Sequence, residues 1–333
     1  MAKAAARRIL AKVRSVRPHY VVAASAGCLF LLDWLVRPLS PVALALACIA
    51  LSPWIAALVR STRRFAAPVQ QSMEDRLFSI GVAENRYGDP LAIGRHHAKV
   101  YSQSGEDGII AEVFRRIGPK DRFFVEIGAG DGRENNTRLL LEQGWRGIWL
   151  EGNGRNAARA RQIFAAFVDA GALKVVEAFI TRENIDALLD AAAAPEAFDF
   201  LSLDLDQNTS HIWRALRRRA RVACIEYNAT LPAATALEVP YDDAGSWEGT
   251  NWFGASLKAL ERIGSAKSMH LVGCDLMGFN AFFVAADETA GRFRQPFTAE
   301  AHWEPARYRL SADHIPPAQE ARRWIVSTSD QIS

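Results

Sequence analysis

From about residue 99 the sequence alternates short apolar runs with amphipathic stretches, and this alternation restricts the fold more than any other feature. Helices place apolar residues on one face every three to four positions, whereas buried strands are short continuous apolar runs. The segment 105–118, "GEDGIIAEVFRRIG", has the helical spacing, with Ile109, Ile110, Val113, Phe114 and Ile117 on one face and Gly118 closing it. Strands are predicted at 122–127, 147–152, 173–180, 198–206 and 222–228, with helices at about 134–143, 155–171, 183–193 and 210–219. This order predicts a mostly parallel sheet covered by helices. A long loop at 229–251 and a helix at about 252–263 follow, and 269–287 closes the sheet as an antiparallel pair of strands around Gly278.

The charge is unevenly distributed along the 333 residues. Residues 1–64 carry ten Lys/Arg against one acid, Asp33, while the remainder carries 30 against 36. Basic residues therefore avoid the globular part, which argues against a nucleic-acid partner. They flank two apolar runs, 20–36 and 39–59, separated by "RPLSP". About 20 apolar residues cross a bilayer, so 20–59 reads as a two-helix membrane hairpin with both basic flanks cytoplasmic. An in-plane amphipathic anchor and a cleaved leader are the alternatives. The expected organisation is a basic N-terminus at 1–19, the hairpin at 20–59, a linker at 60–98, a catalytic-type domain at 99–290 and an extension at 291–333. Four cysteines without metal spacing predict reduced, inert thiols.

The first strand of the domain runs into "FFVEIGAGDG" (123–132), with glycines at 128, 130 and 132 and Glu126 two residues ahead of them. Glycines here let backbone lie against a ligand without an intruding Cβ. Dinucleotide sites use G-x-G-x-x-G, a different spacing. A tight turn with no ligand is the plainer alternative.

Five βα units and a terminal hairpin form the order of class I S-adenosylmethionine methyltransferases. The stretch "YSQSGEDGII…FFVEIGAGDGRENNTRLLLEQGWRGIWLEGN", with "SLDLD", "IEYNA" and "GCDLMGFNAFFV" downstream, resembles the FkbM-type methyltransferase family over about 100–286. The resemblance implies a Rossmann-like fold and S-adenosylmethionine as cofactor. Glu126 then faces the amino-acid end of the cofactor, and Gly128, Gly130 and Gly132 cradle it. Glu151 accepts from the ribose hydroxyls, and Ala178 and Phe179 either touch adenine or belong to the core.

Strands four and five end in "LDLD" and "IEYN". Alternation gives Asp204 and Asp206 one direction and Glu226 and Asn228 another shared one, which can bring all four to the carboxyl edge where such sheets bind ligands. Three readings stay open: a Mg²⁺ site of Asp204, Glu226 and Asn228 resembling catechol-type O-methyltransferases, a general base among Asp204, Asp206, Glu226 or His211, or structural polar groups. The loop 229–251, with Tyr241 and Trp247 beside paired acids, is expected to be a substrate lid.

The combined expectation is a membrane-anchored O-methyltransferase facing the cytoplasm from the inner membrane, acting on a hydroxyl of a lipid-linked, glycan or other small-molecule acceptor. A catalytically silent scaffold with the same fold and an NAD-dependent oxidoreductase are the alternatives.

Overall fold

The computed structural model describes residues 87–308, the two-residue strand at 325–326 and, singly, Arg76 and Ser79. The expected hairpin at 20–59, its basic flank at 1–19 and most of the linker at 60–98 lie outside the described residues, as does most of the extension beyond 308. Among the described residues no helix is long and apolar enough to cross a membrane.

Strands β1 (Phe123–Ile127), β2 (Arg146–Glu151), β3 (Leu173–Glu177), β4 (Ala197–Leu203), β5 (Arg219–Glu226), β7 (Met269–Cys274) and β8 (Asn280–Ala285) form one sheet in the order β3-β2-β1-β4-β5-β8-β7. The first five are parallel, and β8 pairs antiparallel with both β5 and β7. This is the seven-stranded, mostly parallel sheet with a C-terminal antiparallel hairpin that the sequence pattern predicts. Strand order reverses between β1 and β4, so a crevice opens above their carboxyl ends.

Each face of the sheet has its own core. On one side Phe124, Trp149, Phe200, Cys224 and Phe282 meet α1 (Glu106–Ile117), α2 (Arg138–Glu142) and α3 (Gly154–Ile163). On the other Ile127, Leu150, Leu203 and Ile225 meet α5 (Ile185–Ala191), α6 (Thr209–Ala215) and α7 (Leu257–Ala266). Because both faces are covered, the strands read as continuous apolar runs rather than alternating ones.

Several boundaries move. The helix expected over 155–171 breaks at Phe164, whose ring packs at 4.8 Å against Trp149, and continues as α4 (Ala165–Asp169). Strand five starts three residues early, at Arg219, because Arg219 N–H bonds the carbonyl of Glu196. Strand three ends at Glu177, strand four at Leu203 and strand five at Glu226. The loop after β5 is not wholly irregular, since β6 (Leu237–Glu238) pairs with β9 (Ile325–Val326). The helix that follows starts at Leu257 rather than 252, at the point where the Ser256 side chain accepts from Ala259 N–H.

The amino end of the sheet is locked by Asp199, which is fully buried. One of its oxygens accepts from the N–H groups of Lys120, Asp121 and Arg122 at 2.8–2.9 Å, and the other faces the Arg221 guanidinium. Burial opposes its ionisation, but these donors outweigh it and the carboxyl stays below its ordinary value. Removing one partner of a buried charge pair costs about 3–5 kcal/mol. Asp199→Ala is therefore expected to lower unfolding free energy by about that much in denaturant titration. The contribution should be present above the ordinary carboxylate pKa and fade as pH falls through the lowered folded value.

Candidate active site

Three adjoining cavities open at the carboxyl ends of β1, β2, β4 and β5, and Asp204 lines all three. The largest, about 610 Å³, runs from Gly128 and Gly130 past Glu151 and Asn153 to the half-exposed ring of Phe179. A second, about 190 Å³, lies over the glycine turn between Glu126, Asn135 and Asn280. The third, about 210 Å³, is walled by Trp247, Phe253, Phe279 and Tyr308 above Asp204, Asp206 and Glu226.

The three glycines do not share one purpose. All have positive φ, at +87°, +58° and +79°. A Cβ on Gly128 would lie 1.8 Å from the carbonyl oxygen of Asp204, and one on Gly132 would lie 2.5 Å from the Trp149 ring. Only at Gly130 would a Cβ meet no protein atom within 4 Å, because the space beside it is the cleft. All three glycines line the second cavity, as expected, but close packing by itself also requires glycine at 128 and 132, whereas at 130 only the cleft does.

Glu126 lines the second cavity, and its carboxyl is at the same time engaged by the chain itself. It is buried, and its two oxygens accept from the N–H of Asn136, the N–H of Thr137 and the hydroxyl of Thr137. Burial pushes its carboxyl up to about 7 against these donors. It ties β1 to the 133–137 loop, and so builds the wall of the second cavity. Glu151 holds Gly130 N–H and Asn153 N–H at 2.7 Å each. Each of its oxygens keeps a second lone pair toward the cleft. Ala178 does not line the cleft, being turned so that its N–H bonds the Glu151 carbonyl, while Phe179 does.

The acids gather as expected, though not by strand alternation. β4 ends at Leu203, and Asp206 has φ +49°, so a turn rather than a pleat brings Asp206 beside Asp204. Ligand oxygens of Asp204, Asp206 and Glu226 all lie within 4.8 Å of one another. Burial, then their mutual charge, raises Glu226 well above its ordinary value; burial likewise raises Asp204. Asp206, toward the solvent side, is raised by the enclosing walls and by Asp204. Thr209 donates its hydroxyl to Glu226 at 3.1 Å.

Asn228 does not join the acids. Its amide donates to the carbonyls of Asn251 and Phe253 at 2.9 Å, and its oxygen accepts from Thr230 N–H, so it shapes the loop that presents Phe253. Asn228 thus does not complete the expected metal set, and among the described residues the acids placed close enough to share a cation are Asp204, Asp206 and Glu226. His211 is also elsewhere. Its Nε2 donates to the Val239 carbonyl at 2.8 Å, its Nδ1 faces Arg214 and its ring packs on Tyr241, while burial lowers its pKa.

Gln103 and Asn135, on segments without period, and Asn280, at the start of β8, complete the cleft. Gln103 lines both the second and third cavities. It is positioned because Asp107 accepts from three successive N–H groups, Val100 to Ser102, at 2.7–2.8 Å, and Glu106 accepts from Asn280. Asn135 is 7% exposed with neither amide atom bonded, and Asn280, 4% exposed, leaves its oxygen unpaired. Buried amide atoms without partners cost about 1–3 kcal/mol each, and both amides line the second cavity.

No protein-family model and no curated protein matches the chain. Solved structures match at low identity. The METTL16 MTase domain is 17% identical, over 36% of this chain and 51% of that one, with a TM-score of 0.30. The N-terminal domain of EvdMO1 with SAH bound is 14% identical over 64% and 94%, with a TM-score of 0.36. A SAM-dependent methyltransferase from Aquifex aeolicus is 10% identical over 64% and 98%, with a TM-score of 0.34. The chain spans about half of the first of these.

Proposed function

We propose that the chain is an S-adenosylmethionine-dependent methyltransferase that methylates a hydroxyl of a small-molecule, glycan or lipid-linked acceptor. The observation that carries this reading is the juxtaposition of two features at Asp204: a glycine-walled cleft ending in unpaired buried amides, and a separate aromatic cavity floored by acids. The cofactor fits the first. Glu151 would hold ribose hydroxyls, Phe179 would lie against adenine, and the unsatisfied amides of Asn135 and Asn280 suit a group bearing both ammonium and carboxylate. Bound there, S-adenosylmethionine supplies an electrophilic methyl group on a cationic sulfur.

The remaining work falls to the chain. Trp247, Phe253, Phe279 and Tyr308 exclude water and stack an acceptor ring, so that its hydroxyl is held over the acids. The crowded carboxylates cannot all ionise without a compensating charge, so the group shares protons or takes a divalent cation such as Mg²⁺. A carboxyl whose pKa is raised by burial is, once ionised, a stronger base for a hydroxyl, and Glu226 and Asp204 are assigned that role on their place beneath the aromatic cavity. Membrane anchoring through 20–59 and a cytoplasmic-face location belong to the same proposal and rest on the sequence; retention in the pellet after alkaline carbonate extraction is the expected result.

Calorimetry with S-adenosylhomocysteine tests the cofactor assignment. Wild-type binding is expected, and Glu151→Ala should weaken it about tenfold or more through lost charge-assisted hydrogen bonds. A well-folded wild-type protein that binds neither form of the cofactor would end this reading.

A further inference from the structure

The most capacious of the described cavities lies at the opposite end of the sheet. It occupies about 690 Å³ beneath the amino ends of β4, β5 and β7, and no step proposed above uses it. Six cationic and two acidic side chains line it. Four of the cations are already matched. Arg217 and Arg218 pair with Asp186 and Asp190, and Lys120 and Arg221 pair with Glu288, Arg221 also with Asp199.

The other two are not. Lys267 donates to the carbonyl of Leu216 at 2.7 Å and makes no ion pair among the described residues. Arg219, exposed at the first position of β5, makes none either. The partly enclosed ammonium has lost hydration, and the nearby charge of Asp186, with which it forms no ion pair, offsets that loss only in part. Burial accordingly draws the Lys267 pKa down to about 8. Between the charges the wall is apolar: Leu201, Trp213 and Met269, with alanines of the strand ends.

We propose that this cavity binds a phosphate-bearing organic molecule, with Lys267 and Arg219 on the phosphate and its organic body on Trp213, Leu201 and Met269. Lys267 and Arg219 lack ion pairs while Asp287 stands exposed on the same lining, so the surplus favours an anionic group, and a phosphomonoester carries about −1.5 to −2 charges at neutral pH. The Arg fork and the Lys point charge both suit phosphate oxygens. The volume is of the order that small-molecule sites have, about 300–1,000 Å³, and exceeds the need of the anion alone. The shared chemistry could be presented by a lipid headgroup or by a soluble phosphate ester.

The test uses the full chain in detergent micelles and calorimetry with three probes: inorganic phosphate, a soluble sugar phosphate and a short-chain phosphatidic acid. Binding of at least one organic phosphate, tighter than inorganic phosphate, is expected, and the preferred one names the source. Lys267→Met, which keeps the aliphatic stem, combined with Arg219→Gln should weaken that binding about tenfold or more. Lys267→Arg should retain most of it. S-adenosylhomocysteine binding should be unchanged in all variants, so loss of this site and failure of the cofactor reading are separable. Absence of binding by all three probes, or unaltered binding in the double variant with its melting temperature preserved, would overturn the proposal.

Discussion

Glu226→Gln and Asp204→Asn should each lower turnover by about 10²–10⁴, the usual contribution of a positioned base, while leaving the melting temperature unchanged or raised. The asymmetry follows from geometry. Three carboxyls with oxygens inside 4.8 Å are a burden to the folded chain, and replacing one by its neutral isostere relieves repulsion. The pH dependence carries the same sign. Asp206 is pushed from its ordinary 3.8 up to about 7, and Asp204 and Glu226 are raised as well. Protonated carboxyls therefore stabilise the fold below their ordinary pKa, and this contribution is lost as pH rises through the raised values. Unfolding free energy of the protein without added metal should fall between about pH 4 and 7, measured in denaturant. If a divalent cation completes the site, Mg²⁺ should flatten that decline, and chelation should stop turnover but spare cofactor binding. Full activity in both amide variants would make the acids structural.

Gly128→Ala is expected to prevent stable folding, whereas Gly130→Ala should fold and fail to bind cofactor. Both positions have positive φ, which costs an alanine about 1–2 kcal/mol. The difference lies in what the added methyl meets. At Gly128 it would drive into the Asp204 carbonyl, a backbone group that cannot move without tearing β4 from β1, whose pairing continues through the bond from Asp204 N–H to the Ile127 carbonyl. At Gly130 it projects into the cleft and meets no protein atom within 4 Å. Thermal melts should show the first variant lost or melted at room temperature and the second lowered by a few degrees. Calorimetry should then show the second with cofactor affinity reduced about a hundredfold, the equivalent of about 2.7 kcal/mol. Equal behaviour of the two variants would mean that the turn serves packing alone.

The fold was legible because each buried strand is a continuous apolar run, as in "FFVEI" and "FLSL", and each covering helix keeps its face. Parallel pairing of the first five strands followed from the βα units, and the antiparallel closing pair from the Gly278 turn, whereas the order of the strands in the sheet did not. The cleft was legible where a residue sits at a strand end, as Glu151 and Glu226 do. It was not legible on segments without period. Asn135 and Gln103 are placed by neighbouring backbone N–H groups that donate to Glu126 and Asp107, a relation that spacing does not encode. Asn228 misled for the opposite reason: beyond the end of β5 the chain leaves the pleat, so the alternation that aligned it with Glu226 no longer applies.

One carboxyl, Asp204, forms part of the wall of all three cavities around the cleft. A ligand that alters its charge alters the affinity of whatever occupies the other two chambers, and thermodynamic reciprocity makes the effect equal in both directions. If S-adenosylmethionine occupies the cleft as proposed, its positive charge would favour the ionised form of Asp204, and loss of that charge in the demethylated product would weaken the product's hold on the same carboxylate.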